Sequence, residues 1–198
     1  MSLEVRMPYL AALEALGERR REELVVTTMT SSRVWANVSR RPELDLSFGG
    51  CMGKASSLAL GLAMGRPERQ VWVLDGDGSL VMNLGTLITI AQQAPANLTH
   101  FTLENGVYEV TGGQPVPGAG QCDLTAMARA AGYRAAYRFA TLEALREGLD
   151  DALAGPGPCF VTLVVEPAGT IPRVPVRPTR QALAELHRLL SPPTPPSP

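Results

Sequence analysis

Apolar positions recur along this chain in two periods, and the order of those periods predicts a fold class before any motif is considered. Tyr9, Leu10, Leu13 and Leu16 recur at helical spacing behind Pro8, which a first helical turn tolerates, and the pattern ends in the charged stretch Glu18 to Glu23. "LVVTTM" from Leu24 predicts a strand, "TSSR" a polar turn, Val34 to Val38 a helix, and "LDLSF" from Leu44 to Phe48 a second short strand. Small residues in "GGCMGKASSLALGLAMGRP" admit close packing, and the run from Leu58 to Met64 is helical in length. "QVWVL", "LTHFTL" and "CFVTLVVEP" predict three further strands. "LVMNLGTLITIAQQA", "LTAMARAAG" and "TLEALREGLDDALAG" predict the helices between them.

Helices that alternate with strands imply parallel pairing through crossovers. The fold class expected is α/β, a doubly wound, mostly parallel sheet with helices on both faces and ligands at the carboxyl ends of its strands. Residues 1–23 are expected to form an N-terminal helix packing on the domain, and residues 24–190, ending in a helix from Thr179 to Leu190, the domain itself. Residues 191–198, "SPPTPPSP", read as a disordered or polyproline-like tail.

At 198 residues the chain is the size of one ordinary domain. Its 18 Lys and Arg against 19 Asp and Glu leave no basic field for nucleic acid or an anionic membrane. No apolar run approaches the roughly 20 residues that span a bilayer, so the expectation is a cytoplasmic protein. Cys51, Cys122 and Cys159 are too few and too scattered for a disulfide framework or a Cys-x-x-Cys metal site. His100 and His187 lie away from every motif and read as structural or exposed.

The chemistry is carried by "VWVLDGDGSLVMN", Val71 to Asn83, where an apolar strand ends in two aspartates set among glycine and serine. Such a turn lets backbone approach a phosphate, a metal, or both. An EF-hand calcium loop fails at its sixth and twelfth positions, which are Leu80 and Thr86. An apolar strand followed by Asp-x-Asp-Gly also resembles the haloacid dehalogenase phosphotransferases, with Asp75 as nucleophile and Asp77 as general acid. In that reading the downstream parts are missing: Lys54, the only lysine, lies upstream, and Asp150 and Asp151 fall inside a helix.

"GDGS" at Gly76 to Ser79, followed after one helix and one strand by "ENG" at Glu104 to Gly106, resembles the cofactor motif of thiamine diphosphate enzymes. One helix must return the chain to a neighbouring strand, so this spacing brings Asp77 and Asn105 out side by side at the sheet's carboxyl edge. The resemblance implies that Asp77 and Asn105 bind Mg2+ through side chains and Val107 through its carbonyl, while Gly76, Gly78 and Ser79 meet the diphosphate of the cofactor at a helix N-terminus. "GGCMG" at Gly49 to Gly53 is similar to the family's stretch that bends the cofactor. The resemblance makes Met52 the prop, has Gly50 and Met52 present backbone groups to the pyrimidine edge, and counts Cys51 and Tyr108 among the cofactor-binding residues, with Met52 and Lys54 as the catalytic candidates. "MGKASSLALGLA", "DGDGSLVMNLGTL" and "ENGVYEVTGGQP" are more specifically similar to the sulfopyruvate and phosphonopyruvate decarboxylases, over roughly Leu24 to Pro167.

Family members hold thiamine diphosphate between two domains, and the pattern here matches only the one that grips diphosphate and metal. The resemblance therefore implies a pyrimidine-binding, α-type partner chain carrying the activating glutamate, in a hetero-oligomer such as α2β2. The implied activity is decarboxylation of a small anionic 2-oxo acid, with Arg33 and Lys54 as cations for its anionic group. A cofactor-binding subunit without turnover is the reading from a different class. The sequence departs from the family's Tyr-Gly-Ser-Thr-Gly-Asn-Gln pattern at Glu109, which replaces a glycine, and at Gly113, which replaces an asparagine. A carboxylate at the mouth of the site opposes a dianionic substrate.

Overall fold

Strands whose side chains are buried on both faces force helices onto both sides of their sheet. The structure, a computed structural model, describes residues 5–170, 175 and 177–191. The chain runs α1 (Tyr9–Arg19), β1 (Leu24–Thr27), α2 (Met29–Val38), β2 (Asp45–Ser47), α3 (Ala55–Gly65), β3 (Val71–Gly76), α4 (Asp77–Val81) and α5 (Gly85–Gln93). It continues through β4 (Leu98–Glu104), β5 (Val107–Tyr108), β6 (Gln114–Pro115), α6 (Leu124–Ala131), β7 (Ala135–Phe139), α7 (Leu142–Ala154), β8 (Cys159–Val164) and α8 (Thr179–Leu190). Six strands form one sheet in the order β2-β1-β3-β4-β8-β7, each neighbour pair parallel, and β5 and β6 make a small antiparallel hairpin.

The two-residue period divides the core in two. Val25, Trp72, Leu74 and Val161 point to the layer of α1, α2 and α7, whereas Leu24, Val26, Val73 and Phe160 point to the layer of α3, α5, α6 and α8. This is the doubly wound α/β arrangement that the alternation of periods predicts. From β1 the chain goes to β2 on one side and then to β3 and β4 on the other, so the order reverses between β1 and β3. In open α/β sheets the crevice at such a reversal is where ligands bind.

Three local expectations are corrected. The "TSSR" segment is the first turn of α2, not a turn before a helix at Val34. Ser31 and Ser32 are buried there, with Ser31 Oγ accepting the Thr28 amide at 3.1 Å and reaching Leu74 O at 2.5 Å. The single helix expected over Leu80 to Ala94 is two helices, α4 and α5, with α4 starting directly off β3. Asn83 lies in the break and is tied away, its Nδ2 donating to Gly53 O at 2.9 Å. Finally, β7 has no counterpart in the apolar pattern of the sequence. It is an edge strand with intermediate exposure at three of five positions, so it carries no apolar run.

The proline-rich tail falls outside the described residues except Ser191. Among the described residues no helix is long and apolar enough to cross a membrane.

Candidate functional site

The ends of β1, β3 and β4 surround one cleft at the sheet reversal. Met52, Gly76 to Ser79, Asn105, Val107 and Tyr108 all line it, so residues from three separated segments of the sequence meet in one place. β3 and β4 are parallel neighbours with Gly76 opposite Leu103, and each chain leaves its strand toward the same edge. Asp77 opens α4 and Asn105 follows β4. The Gly106 amide donates to Asp77 Oδ2 at 2.7 Å, and the Gly78 amide donates to Asp77 Oδ1 at 2.8 Å. Asn105 Oδ1 accepts the Val107 amide at 3.0 Å.

Asp77 is 5 % exposed, and burial pushes its carboxyl up to about 6, against the opposing pull of the Gly106 and Gly78 amides. Asp77, a buried carboxylate whose charge is so incompletely offset, lines the cleft together with Asn105 and Val107, and these three residues can offer hard oxygen donors. That set fits a divalent cation such as Mg2+.

The glycines are explained by their neighbours. A Cβ on Gly78 would stand 2.5 Å from Tyr108 Cε1 and 3.1 Å from Val116 Cγ2, so the ring of Tyr108 lies directly on the turn. Gly53 has φ of +74° and its amide donates to Ser79 Oγ at 2.9 Å, which hangs the Met52 turn on α4. Ser79 therefore serves structure as well as lining the cleft. Met52 is half-buried at the wall.

Other candidates lie outside. Gly50, Cys51 and Lys54 are exposed, Arg33 is exposed on α2, and none of the four lines the cleft. Arg33 is nonetheless close enough to oppose the shift of Tyr9 described below. Asp75, the nucleophile of the phosphotransferase reading, is fully buried beneath the cleft, with Oδ1 accepting the Gly76 amide at 2.9 Å. Its Oδ2 stands 3.7 Å from Nε2 of the fully buried His100, too far for a hydrogen bond. His100 Nδ1 meets the Tyr133 hydroxyl at 3.1 Å, as a structural histidine does.

Sequence reasoning missed the N-terminal segment. Met7 bridges to Val165 beyond the end of β8, which carries Tyr9 into the cleft wall and Arg6 to Asn105, where Nη1 donates to the main-chain oxygen at 2.7 Å. Burial, then Glu109 and Asp77, raise the Tyr9 phenol well above its ordinary range. Glu109 also lines the cleft; Oε2 accepts from Asn105 Nδ2 at 3.1 Å and Oε1 accepts the Gly169 amide at 2.7 Å. Tyr9 reads as one more core position of an amphipathic helix, so no local signal separates it from its neighbours.

The open parallel sheet and the cleft at its reversal, with the buried carboxylate of Asp77 in a largely apolar wall, define the ligand site of a doubly wound α/β domain. The family of the thiamine pyrophosphate enzyme, C-terminal TPP binding domain, matches residues 26–163. This chain belongs to that family. It is 46 % identical over 159 residues to the sulfopyruvate decarboxylase subunit beta of Methanothermobacter thermautotrophicus, covering 80 % of this chain and 82 % of the relative. It is 43 % identical over 160 residues to the phosphonopyruvate decarboxylase of Streptomyces viridochromogenes, with 80 % of this chain covered. The chain spans only 40 % of that relative and 35 % of the phosphonopyruvate decarboxylase of Streptomyces hygroscopicus. Among solved structures, benzoylformate decarboxylase from Polynucleobacter necessarius shares the fold with a TM-score of 0.70 at 24 % identity, over 84 % of this chain and 34 % of that one.

Proposed function

We propose that this chain is the diphosphate- and magnesium-binding part of a thiamine diphosphate-dependent 2-oxo acid decarboxylase of the sulfopyruvate or phosphonopyruvate type. The observation that carries the reading is the junction of Asp77 with the Asn105 loop, closed by the 2.7 Å bond from the Gly106 amide. Asp77, the Asn105 side-chain oxygen and the Val107 carbonyl would hold Mg2+, and Gly76, Gly78 and Ser79 would meet the diphosphate. Met52, in the cleft wall, would support the cofactor, with Gly50 and Cys51 in the same turn. Tyr108 closes the turn over Gly78, and Lys54, exposed at the N-cap of α3, follows the Met52 turn.

Thiamine diphosphate, when bound, supplies the electron sink that makes loss of carbon dioxide from a 2-oxo acid feasible. The chain's own contribution is position. It anchors the cation in a buried carboxylate, fixes Asn105 beside it and walls the cleft with Tyr9, Met52 and Tyr108 against water. Its cleft presents Asp77 and Glu109 to an incoming anion, and Arg33 and Lys54 stand outside the wall. The pyrimidine-side glutamate and the cations for the substrate's anionic group come from an α-type partner chain, with α2β2 as the assembly. The beta-subunit name of three relatives supports a partner.

The test is calorimetric titration of the chain, alone and with a pyrimidine-binding chain of the α type, with thiamine diphosphate and Mg2+. Cofactor binding that needs Mg2+ and disappears in Asp77→Ala, with carbon dioxide released from sulfopyruvate or phosphonopyruvate only when both chains are present, is expected. Unchanged binding in Asp77→Ala would overturn the reading.

A further inference from the structure

Asn105 is held from two sides by residues of opposite charge. Arg6, 99 positions upstream, donates Nη1 to its main-chain oxygen at 2.7 Å, and Glu109 accepts its side-chain Nδ2 at 3.1 Å. Glu109 is anchored in turn, its other oxygen accepting the Gly169 amide at 2.7 Å. Arg6 is fixed by its neighbour Met7, whose amide donates to Val164 O at 3.0 Å and whose oxygen accepts from Glu166 at 2.9 Å. The N-terminal segment reaches Asn105 directly, and the segment after β8 reaches it through Glu109.

The chemistry of the two ends differs. An ionised carboxylate accepts hydrogen bonds and cannot donate them, whereas an asparagine amide presents a donor on one side and an acceptor on the other. A carboxylate facing the amide therefore selects the orientation with Nδ2 toward Glu109 and Oδ1 away. In that orientation Oδ1 takes the Val107 amide with one lone pair and keeps the second for a ligand in the cleft. Arg6 fixes the backbone from which the side chain projects.

We propose that Arg6 and Glu109 are positioning residues that together set the backbone place and the amide orientation of Asn105 for the cation. The inference rests on the reading of Asn105 as a cation ligand, and neither residue touches the reacting atoms. Outer groups that orient a ligand typically carry about 10- to 100-fold of metal affinity. Gln at position 109 keeps an acceptor but adds a donor, so it permits both amide orientations and is an intermediate case.

The experiment uses the full chain with its partner. Hydrogen exchange of segment 104–108 is followed without metal, and Mn2+ binding in the presence of thiamine diphosphate is read from the spin-resonance signal of free Mn2+. Arg6→Ala and Glu109→Ala are expected to speed exchange at Gly106 and Val107 and to weaken Mn2+ by about 10- to 100-fold. Arg6→Lys and Glu109→Gln should fall between these and the natural chain, which also guards against a variant that fails to fold. Unchanged exchange, or faster exchange with Mn2+ affinity at the natural value, would overturn the proposal. If the natural chain itself binds no Mn2+, the cofactor reading falls, and the exchange data alone decide whether the two residues hold the loop.

Discussion

The ring of Tyr108 rests on the backbone of Gly78 with no room for a methyl group between them, since a Cβ there would stand 2.5 Å from Cε1 and 2.7 Å from Cδ1. The atoms met belong to the body of an aromatic ring, which cannot swing aside as the end of a flexible chain can. Gly78→Ala should therefore force the β5–β6 hairpin off the turn and destabilise the protein by about 1–3 kcal/mol. Urea denaturation measures this. The combined variant Gly78→Ala with Tyr108→Ala should recover part of the loss, and equal stability of Gly78→Ala and the natural chain would show that the ring is free to move.

Ser79 offers a separable test of the Met52 turn. Its hydroxyl oxygen accepts the buried Gly53 amide, and Ser79→Ala leaves that donor without its partner, at a cost of about 1–3 kcal/mol. Asn83 still holds Gly53 O, so the turn should loosen and not unfold. The expected result is weaker thiamine diphosphate binding by calorimetry together with a modest drop in thermal midpoint. Binding at full strength would detach Met52 from the cofactor.

Asn97 carries a structural load far from the cleft. Its Nδ2 faces the carbonyls of Ala63, Arg66 and Arg69 at 3.1, 3.0 and 2.7 Å, and its own carbonyl accepts the Val71 amide, joining the end of α3 to the start of β3. Asn97 is buried, so Asn97→Ala strands carbonyls that water reaches poorly. A loss of about 1–3 kcal/mol in urea denaturation is expected, with cofactor affinity per folded molecule unchanged.

The parts of this molecule legible in its sequence are those fixed by short chain paths. Asp77 and Asn105 are joined by two helices and one strand, so their spacing alone brings them together, and Gly53 and Gly78 sit where backbone must pass close to another group. Arg6 and Tyr9 reach the same cleft from the far end of the chain, and a contact across 99 positions leaves no local pattern. Ser31 and Ser32 read as turn formers because serine competes with helix backbone, yet here Ser31 finds Leu74 O on a neighbouring strand and the helix starts early. Lys54 and Arg33 are close in sequence to residues of the cleft, yet both are exposed and neither lines it: Arg33 stands on the outer face of α2, and Lys54 caps the start of α3. Glu109 read as an obstacle to substrate and proves to be a hydrogen-bond partner of Asn105.

Asp77 gives the cleft a defined pH response. Its carboxyl is raised by burial from the usual range to about 6 in the folded, metal-free chain. A raised carboxyl favours the protonated form, so the folded state carries no penalty from this group below its unfolded value near 4. The penalty grows as pH rises and is fully present above about 6, the reverse of the behaviour of a carboxylate stabilised by a partner. Metal-free protein should accordingly lose stability between about pH 4 and pH 6, and Asp77→Asn should remove that part of the profile. A cation needs the ionised form and competes with the proton. Mg2+ affinity should be level above about pH 7 and fall close to tenfold for each unit below about 6, as one proton is displaced per ion bound. Titration of Mn2+ from pH 5 to 8 measures the slope, and an affinity independent of pH across that window would mean that the buried carboxylate of Asp77 is not the group that holds the ion.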